Sequence, residues 1–162
     1  MYKKDFPYFT NSNSVYLDSG ATTQKPQSVI DATVEYYTKY CSNTHRSGFG
    51  DAAHATTEFE NTREVLQKFI NARKKEEIIF TKGVTESINF IASSFAYMFK
   101  TVIISSLEHH ANIVPWHMQG RFLNSGLEVV KCNENLDFDF EDFEEILKKN
   151  PNSFVSVAHV TN

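Results

Sequence analysis

The sequence is poor in cysteine, has no long apolar run and carries no excess of basic charge. Its 162 residues include only two cysteines, Cys41 and Cys132, which lie far apart and fit no metal-ligand spacing. We therefore predict no metal site and interpret both residues as inert thiols. No run of 18 apolar residues and no signal-peptide pattern occurs, so we expect a cytoplasmic protein that does not enter a membrane. The net charge of −4 argues against nucleic acid as a partner.

The composition is typical of a globular domain, and the second half of the chain has an α/β pattern. Hydrophobic residues make up 41% of the chain and charged residues 22%, which suits a domain with its own core. Strand-like apolar runs alternate with segments of helical periodicity, which predicts parallel strands joined by right-handed crossovers. Strands are predicted at 78–80, 102–104, 127–130 and 154–158. Helices are predicted at 88–95, 114–123 and 140–147, the last capped by Asp139. Earlier in the chain, the pattern predicts a short strand at 15–17, helices at 29–40 and 56–70, and a loop at Cys41–Asp51.

Polar segments follow three of the predicted strands. They are the turn Thr81–Glu86, the pair His109 and His110, and the stretch His159–Asn162. The carboxyl ends of parallel strands share one edge of a sheet, where ligands bind in open α/β folds. The turn contains a glycine before a helix, an arrangement that favours an anion such as phosphate. Alone, however, it is more typical of an ordinary strand-to-helix connection, because such turns are common.

Five sequence motifs occur in one order along nearly the whole chain. They are Tyr16–Pro26, Asn43–Arg46, Ile79–Asn89, Glu108–Trp116 (EHHANIVPW) and His159–Asn162 (HVTN). In this order they resemble the motifs of the SUF-type (group II) cysteine desulfurases and the selenocysteine lyases, which belong to the class-V aminotransferase superfamily. Each short motif alone would be weak evidence for the family, but the five motifs in this order make the resemblance specific.

The resemblance implies an α/β fold, specifically part of the pyridoxal 5′-phosphate (PLP) transferase fold type I. The chain would supply the N-terminal helices and the first half of the large-domain sheet. Residues 1–50 would form an N-terminal arm, helix and loop, and residues 51–162 the N-terminal half of the large domain. The implied reaction converts L-cysteine to L-alanine and leaves a persulfide on the enzyme for iron–sulfur cluster assembly. Members of this family are homodimers that pass sulfur to an acceptor protein.

The resemblance also assigns roles to individual residues. The first histidine of the pair, His109, would stack on the PLP ring and move a proton, while His110 would hold the loop through hydrogen bonds. Similar proteins bind the PLP phosphate with the two residues after the glycine, here Val84 and Thr85. Most of them have a hydroxyl residue first, so Val84 could contribute only its backbone N–H. The remaining implied contacts are Asn162 with the ring hydroxyl, and His45 and Arg46 at the mouth of the site.

In the family, residues essential for the chemistry follow the motif that ends here at Asn162. They include the Schiff-base lysine and the sulfur-accepting cysteine. We therefore expect the 162-residue chain to be inactive alone, whether it is a truncated product, half of a split protein or an expression fragment. Two alternatives are another class-V PLP lyase, such as a selenocysteine lyase, and a non-catalytic remnant that acts by binding a partner.

Overall fold

The computed structural model describes residues 2–45, 48–123 and 126–161, and the chain divides into two compact units, Met1–Ile79 and Phe80–Asn162. The first unit is helical. It contains α1 (Pro7–Asn11), α2 (Gln27–Glu35) with a π-helical extension Tyr36–Tyr40, and α3 (Gly50–Phe69), with short 3-10 helices at Tyr2–Asp5 and Lys75–Glu77. Pro26 immediately precedes α2, as predicted, because proline is compatible with the start of a helix but not with its interior.

The second unit is α/β. Its elements are α4 (Val84–Phe95), β1 (Thr101–Ser105), α5 (Val114–Leu123), β2 (Gly126–Val130), α6 (Phe140–Lys149) and β3 (Ser153–Val155), with 3-10 helices at Ala96–Met98 and His110–Asn112. Asp139 is the N-cap residue of α6, as predicted. Its side chain accepts hydrogen bonds from the backbone N–H groups of Glu141 and Asp142, both at 3.0 Å, so two otherwise unpaired donors of the first turn are satisfied.

The three strands form one parallel sheet in the order β2-β1-β3, which confirms the predicted α/β class. All five residues of β1 are buried, as expected for the central strand of a sheet that is covered on both faces. Its side chains alternate between the two faces. Val102 and Ile104 pack with Ala92 and Trp116, and Ile103 packs in a separate cluster with Val130 and Ile146.

Three strand predictions are wrong in whole or in part. Residues 15–17 and 78–80 form no strand, and β3 ends at Val155 rather than at residue 158. A strand exists only where another strand pairs with it, and β1 and β3 pair over three residues only. Apolar, β-branched composition at 78–80 is therefore not sufficient to form a strand.

The predicted loop Cys41–Asp51 is slightly too long, because α3 begins at Gly50. The predicted domain boundary at residue 50 falls at this point and stays a prediction.

The sheet exposes apolar residues near its edges. β2 and β3 are the outer strands of the sheet in the described part of the chain. Val129, Val155 and Val157 on or next to these strands are 44%, 36% and 42% exposed. Unpaired backbone groups beside β-branched side chains favour pairing with a second chain. No helix in the described ranges is long and apolar enough to cross a membrane.

We expect the isolated chain to self-associate or to be only marginally stable. Light scattering after size-exclusion chromatography should give a mass above the 18.6 kDa of one chain. Val157→Lys should lower this mass, because lysine beside a sheet edge opposes pairing. Val65→Lys, at a 65% exposed position on α3, is the control and should leave the mass unchanged. A monomer with a sharp, cooperative melt would contradict this expectation.

Candidate active site

The loop after β1 carries the two adjacent histidines. His110 begins the 3-10 helix, and His109 lies one residue before it. Nδ1 of His109 accepts a hydrogen bond from the backbone N–H of Ala111 at 3.1 Å, so the proton of the neutral ring is on Nε2. Both imidazoles are exposed, and their ring centroids are 6.3 Å apart. The imidazole that holds this loop is that of His109, whereas the sequence interpretation gave that role to His110.

Glu108 and Asn112 connect this loop to the segment that follows β3. The carboxylate of Glu108 accepts a hydrogen bond from the backbone N–H of Ala158 at 2.7 Å and another from Nδ2 of Asn112 at 2.9 Å. Nδ2 of Asn112 also donates to the backbone oxygen of Ser156 at 3.0 Å. Because β1 and β3 are neighbouring parallel strands, both segments leave the sheet at the same edge. The structure therefore brings the loop of His109 together with the segment Ser156–His159.

The predicted phosphate turn precedes α4. Gly83 is the residue before the helix and has φ 157° and ψ 179°, a conformation that is almost exclusive to glycine. A Cβ at Gly83 would have no atom within 4 Å, so backbone conformation and not space requires the glycine. No side chain of the described chain caps the start of α4, and both Val84 and Thr85 are exposed. The first backbone N–H groups of α4 therefore have no side-chain acceptor in the described chain and can donate to an anion.

Side chains around this turn bond to one another and to backbone groups of Lys82 and Gly83. Oγ1 of Thr81 lies 2.8 Å from Oγ of Ser87. The carboxylate of Glu86 folds back and accepts a hydrogen bond from the backbone N–H of Lys82 at 2.6 Å. α4 itself contacts the 3-10 helix His110–Asn112, so the helix that begins at the predicted phosphate turn packs beside the loop of His109.

His45 lies in the first unit. Its backbone N–H donates to Oγ1 of Thr56 at 3.0 Å, and its Nε2 lies 3.5 Å from a carboxylate oxygen of Glu60. Its φ of 62° is in the left-handed region, which is uncommon for a residue other than glycine. These contacts fix the imidazole against α3, with half of the side chain exposed. Two other predicted site residues, Arg46 and Asn162, lie outside the described residues.

The two thiols belong to different units of the chain. Cys41 is exposed, and Sγ of Cys132 lies 2.9 Å from Oγ of Ser106. In the described ranges, no three His, Cys, Asp or Glu side chains cluster in a way that could hold a metal ion.

Sequence reasoning missed Glu108 and Asn112 as functional candidates. One of their contacts has a signal in the local sequence. Asn112 lies four residues before Trp116, and its Oδ1 accepts a hydrogen bond from the indole Nε1 at 2.9 Å. The links to Ser156 and Ala158 cross 44 and 50 residues of sequence, and no local pattern predicts such pairs.

Comparison with known proteins identifies the family. The model of the class-V aminotransferase family matches residues 15–162. The chain is a class-V aminotransferase family member. A curated relative, a probable cysteine desulfurase of Borreliella burgdorferi, is 38% identical over 99% of this chain, and the match covers 40% of that protein. The chain thus spans about two fifths of the length of this relative.

Solved structures with a similar fold match nearly the whole chain. The apo structure of a cysteine desulfurase from Thermococcus onnurineus matches 99% of this chain and 40% of that one, with a TM-score of 0.88 and 34% identity. A second structure, in which glycine is covalently linked to the PLP cofactor, matches 98% of this chain and 41% of its own, with a TM-score of 0.80. At 15% identity, this second match shows the shared fold alone. The predicted assignment to PLP fold type I is confirmed.

Proposed function

We propose that this class-V aminotransferase chain forms the cofactor-facing part of a PLP-dependent cysteine desulfurase. The whole protein would convert L-cysteine to L-alanine and pass sulfur as a persulfide to an acceptor protein for iron–sulfur cluster assembly. It would act as a homodimer in the cytoplasm. The observation that carries the proposal is the exposed His109 loop at the carboxyl edge of the parallel sheet, in a chain that matches a cysteine desulfurase structure with a TM-score of 0.88.

The residues present fit the two ends of PLP. The phosphate needs several hydrogen-bond donors that point to one place with no side chain in the way. The uncapped start of α4 after Gly83 offers such donors. Val84 and Thr85 would bind the phosphate through their backbone N–H groups, so the lack of a hydroxyl on Val84 does not prevent this contact. The flat pyridine ring needs an accessible aromatic surface, and the exposed imidazole of His109 provides one.

Bound PLP would supply an electron sink for the substrate carbanion. The protein residues would orient the substrate, exclude water and hold protons. With Nδ1 of His109 accepting from Ala111, its Nε2 carries the proton of the neutral ring and is the atom able to donate. Asn162 would contact the ring hydroxyl, and His45 and Arg46 would line the mouth of the site. Binding energy from these contacts would position L-cysteine for reaction.

Phosphate-dependent binding tests the cofactor assignment. We expect the chain to bind pyridoxine 5′-phosphate more tightly than pyridoxine, measured by ring fluorescence, because only the former reaches the donors of α4. Neither probe has an aldehyde, so lysine adducts do not contribute. Gly83→Ala should weaken binding of the phosphate by about 5- to 150-fold, since the backbone conformation at Gly83 costs another residue about 1–3 kcal/mol.

Gly126→Ala is the matched control for this experiment. The position belongs to the same unit, and a Cβ there would meet its nearest atom, Oγ1 of Thr101, at an ordinary 3.5 Å. This variant should retain the preference for the phosphate. Equal affinity of the parent chain for pyridoxine and its phosphate would refute the assignment of the turn at Gly83.

A further inference from the structure

The hydrogen bonds of Glu108 and Asn112 begin where backbone pairing between β1 and β3 ends. The two strands pair in parallel from Thr101 with Ser153 to Ile103 with Val155. A last backbone hydrogen bond runs from the N–H of Ser156 to the oxygen of Ile103 at 2.9 Å. Beyond this point, in the described residues, the hydrogen bonds between the two segments involve the side chains of Glu108 and Asn112.

Asn112 uses its whole hydrogen-bonding capacity. Its Nδ2 donates to Glu108 at 2.9 Å and to the backbone oxygen of Ser156 at 3.0 Å. Its Oδ1 accepts from Nε1 of Trp116 at 2.9 Å and from Oγ of Ser156 at 2.6 Å. An amide has two donors and two acceptor positions, so every position is filled. Because Asn112 is only 7% exposed, water cannot readily replace a lost partner, and the side chain is specified by its donors and acceptors, not by size.

Glu108 is a half-buried carboxylate that accepts three hydrogen bonds. Oε1 accepts from Oγ of Ser105 at 2.8 Å and from the backbone N–H of Ala158 at 2.7 Å, and Oε2 accepts from Asn112 at 2.9 Å. Charge-assisted bonds of this kind are shorter and stronger than neutral ones. The carboxylate thereby joins the end of β1, the 3-10 helix and the segment after β3.

His109 lies between these anchored residues. Glu108 precedes it directly, Asn112 ends the 3-10 helix that follows, and the imidazole bonds to Ala111 within the same loop. On the other side, Ala158 immediately precedes His159. The imidazole itself is exposed, so the fixed positions of its neighbours, and not packing around the ring, determine where it lies.

We propose that Glu108 and Asn112 are positioning residues of the active site, which hold the loop of His109 and the segment Ser156–His159 in a fixed relation at one edge of the sheet. A group displaced by about 1 Å from its productive position can lose roughly 100-fold in rate, so this rigidity has a direct catalytic use. The importance of this positioning for PLP chemistry rests on the proposed function. The positioning itself can be measured on the chain alone.

Two substitutions disrupt the network without changing side-chain size. In Glu108→Gln, the oxygen can still accept from Ser105 and Ala158, but the new NH₂ group faces the NH₂ group of Asn112. In Asn112→Asp, both donors are lost, and a second carboxylate faces Glu108 and the backbone oxygen of Ser156. We therefore expect the larger effect from Asn112→Asp. Ser156→Ala removes only one bond to Asn112 and is the milder variant if Asn112→Asp does not fold.

Asp142→Asn is the matched control. Asp142 is also a carboxylate that accepts from a backbone N–H, that of Lys131 at 2.9 Å, and so ties the segment after β2 to α6 in the same unit. This substitution should lower thermal stability without disturbing the loop of His109. It separates a general loss of stability from a loss of positioning.

Two measurements report on the hydrogen bonds of Glu108 and Asn112. Both are read by mass spectrometry, so they can be made even if the chain self-associates. Amide hydrogen exchange at Ala158 should accelerate by roughly 10- to 100-fold in Asn112→Asp, and less in Glu108→Gln. Carbethoxylation of His109 by diethyl pyrocarbonate should accelerate severalfold relative to His54, because a loosened loop frees Nδ1 from Ala111. In Asp142→Asn, neither quantity should change.

If both quantities in Glu108→Gln, Asn112→Asp and Ser156→Ala equal those in Asp142→Asn, the positioning role is refuted. Pyridoxine 5′-phosphate binding, measured on the same variants, is interpreted separately. A parent chain that binds no phosphate probe but shows the expected exchange and carbethoxylation would refute the proposed cofactor site and leave the positioning role supported.

Discussion

Incubated with L-cysteine and PLP, the 162-residue polypeptide is expected to release no alanine or sulfide above a no-protein control. Covalent catalysis of this reaction needs a lysine that holds the cofactor and a cysteine that accepts sulfur. In similar proteins both follow the motif that corresponds to His159–Asn162. Lys82 lies in the predicted phosphate turn, but nothing in its sequence context assigns it the role of the cofactor lysine. Neither Cys41 nor Cys132 belongs to a motif of the resemblance.

The assay needs a positive control and protein free of host desulfurases. A complete cysteine desulfurase, added to the same preparation at a known low concentration, should give its full rate and so exclude inhibition. Activity of the chain above background, retained through a second purification step, would contradict the prediction. Loss of that activity in Lys82→Ala would then identify an unexpected cofactor lysine.

In a desulfurase reconstituted with this chain as its N-terminal portion, His109→Ala should reduce turnover by about 100-fold or more and change the absorbance band of the bound cofactor. The magnitude is that of losing a general acid or base, to which the loss of ring stacking adds. His110→Ala should change turnover little, because the imidazole that bonds within the loop is that of His109. The two adjacent exposed histidines thus serve as matched controls for each other.

The absorbance spectrum separates the explanations for this pair of variants. A structural effect would lower the melting temperature of His109→Ala without altering the cofactor band of the folded enzyme. A band that changes in His110→Ala and not in His109→Ala would show that the roles of the two histidines are reversed. His109 would then stabilise the loop through its hydrogen bond to Ala111 but would not contact the cofactor.

Features that depend on neighbouring residues could be predicted from the sequence. Asp139 caps α6 because its carboxylate reaches N–H groups only two and three residues ahead. Helical periodicity placed α4, α5 and α6 correctly within a few residues for the same reason. The alternation of strands and helices was enough for the α/β class, and the ordered motifs were enough for the family.

Features that depend on distant partners could not be predicted. Residues 78–80 have the composition of a strand but form none, and residues 156–158 leave the sheet although they continue the apolar pattern of β3. At the site, the His109 loop was found from its motif, whereas the roles of Glu108 and Asn112 depend on Ser156 and Ala158. The roles of Val84, Thr85 and His45 stay predictions, and the binding of pyridoxine 5′-phosphate tests those of Val84 and Thr85.

The position of β1 in the middle of the sheet has a consequence for synthesis on the ribosome. Its pairing residue in β3, Ser153, follows Thr101 by about 50 residues. At about 5–20 residues per second, this interval lasts roughly 3–10 s. During that time the fully buried central strand of the unit has its β3 side unpaired, and the carboxylate of Glu108 cannot yet accept from the N–H of Ala158. The nascent chain is therefore open to chaperone binding at the very strand that is most deeply buried once folding is complete.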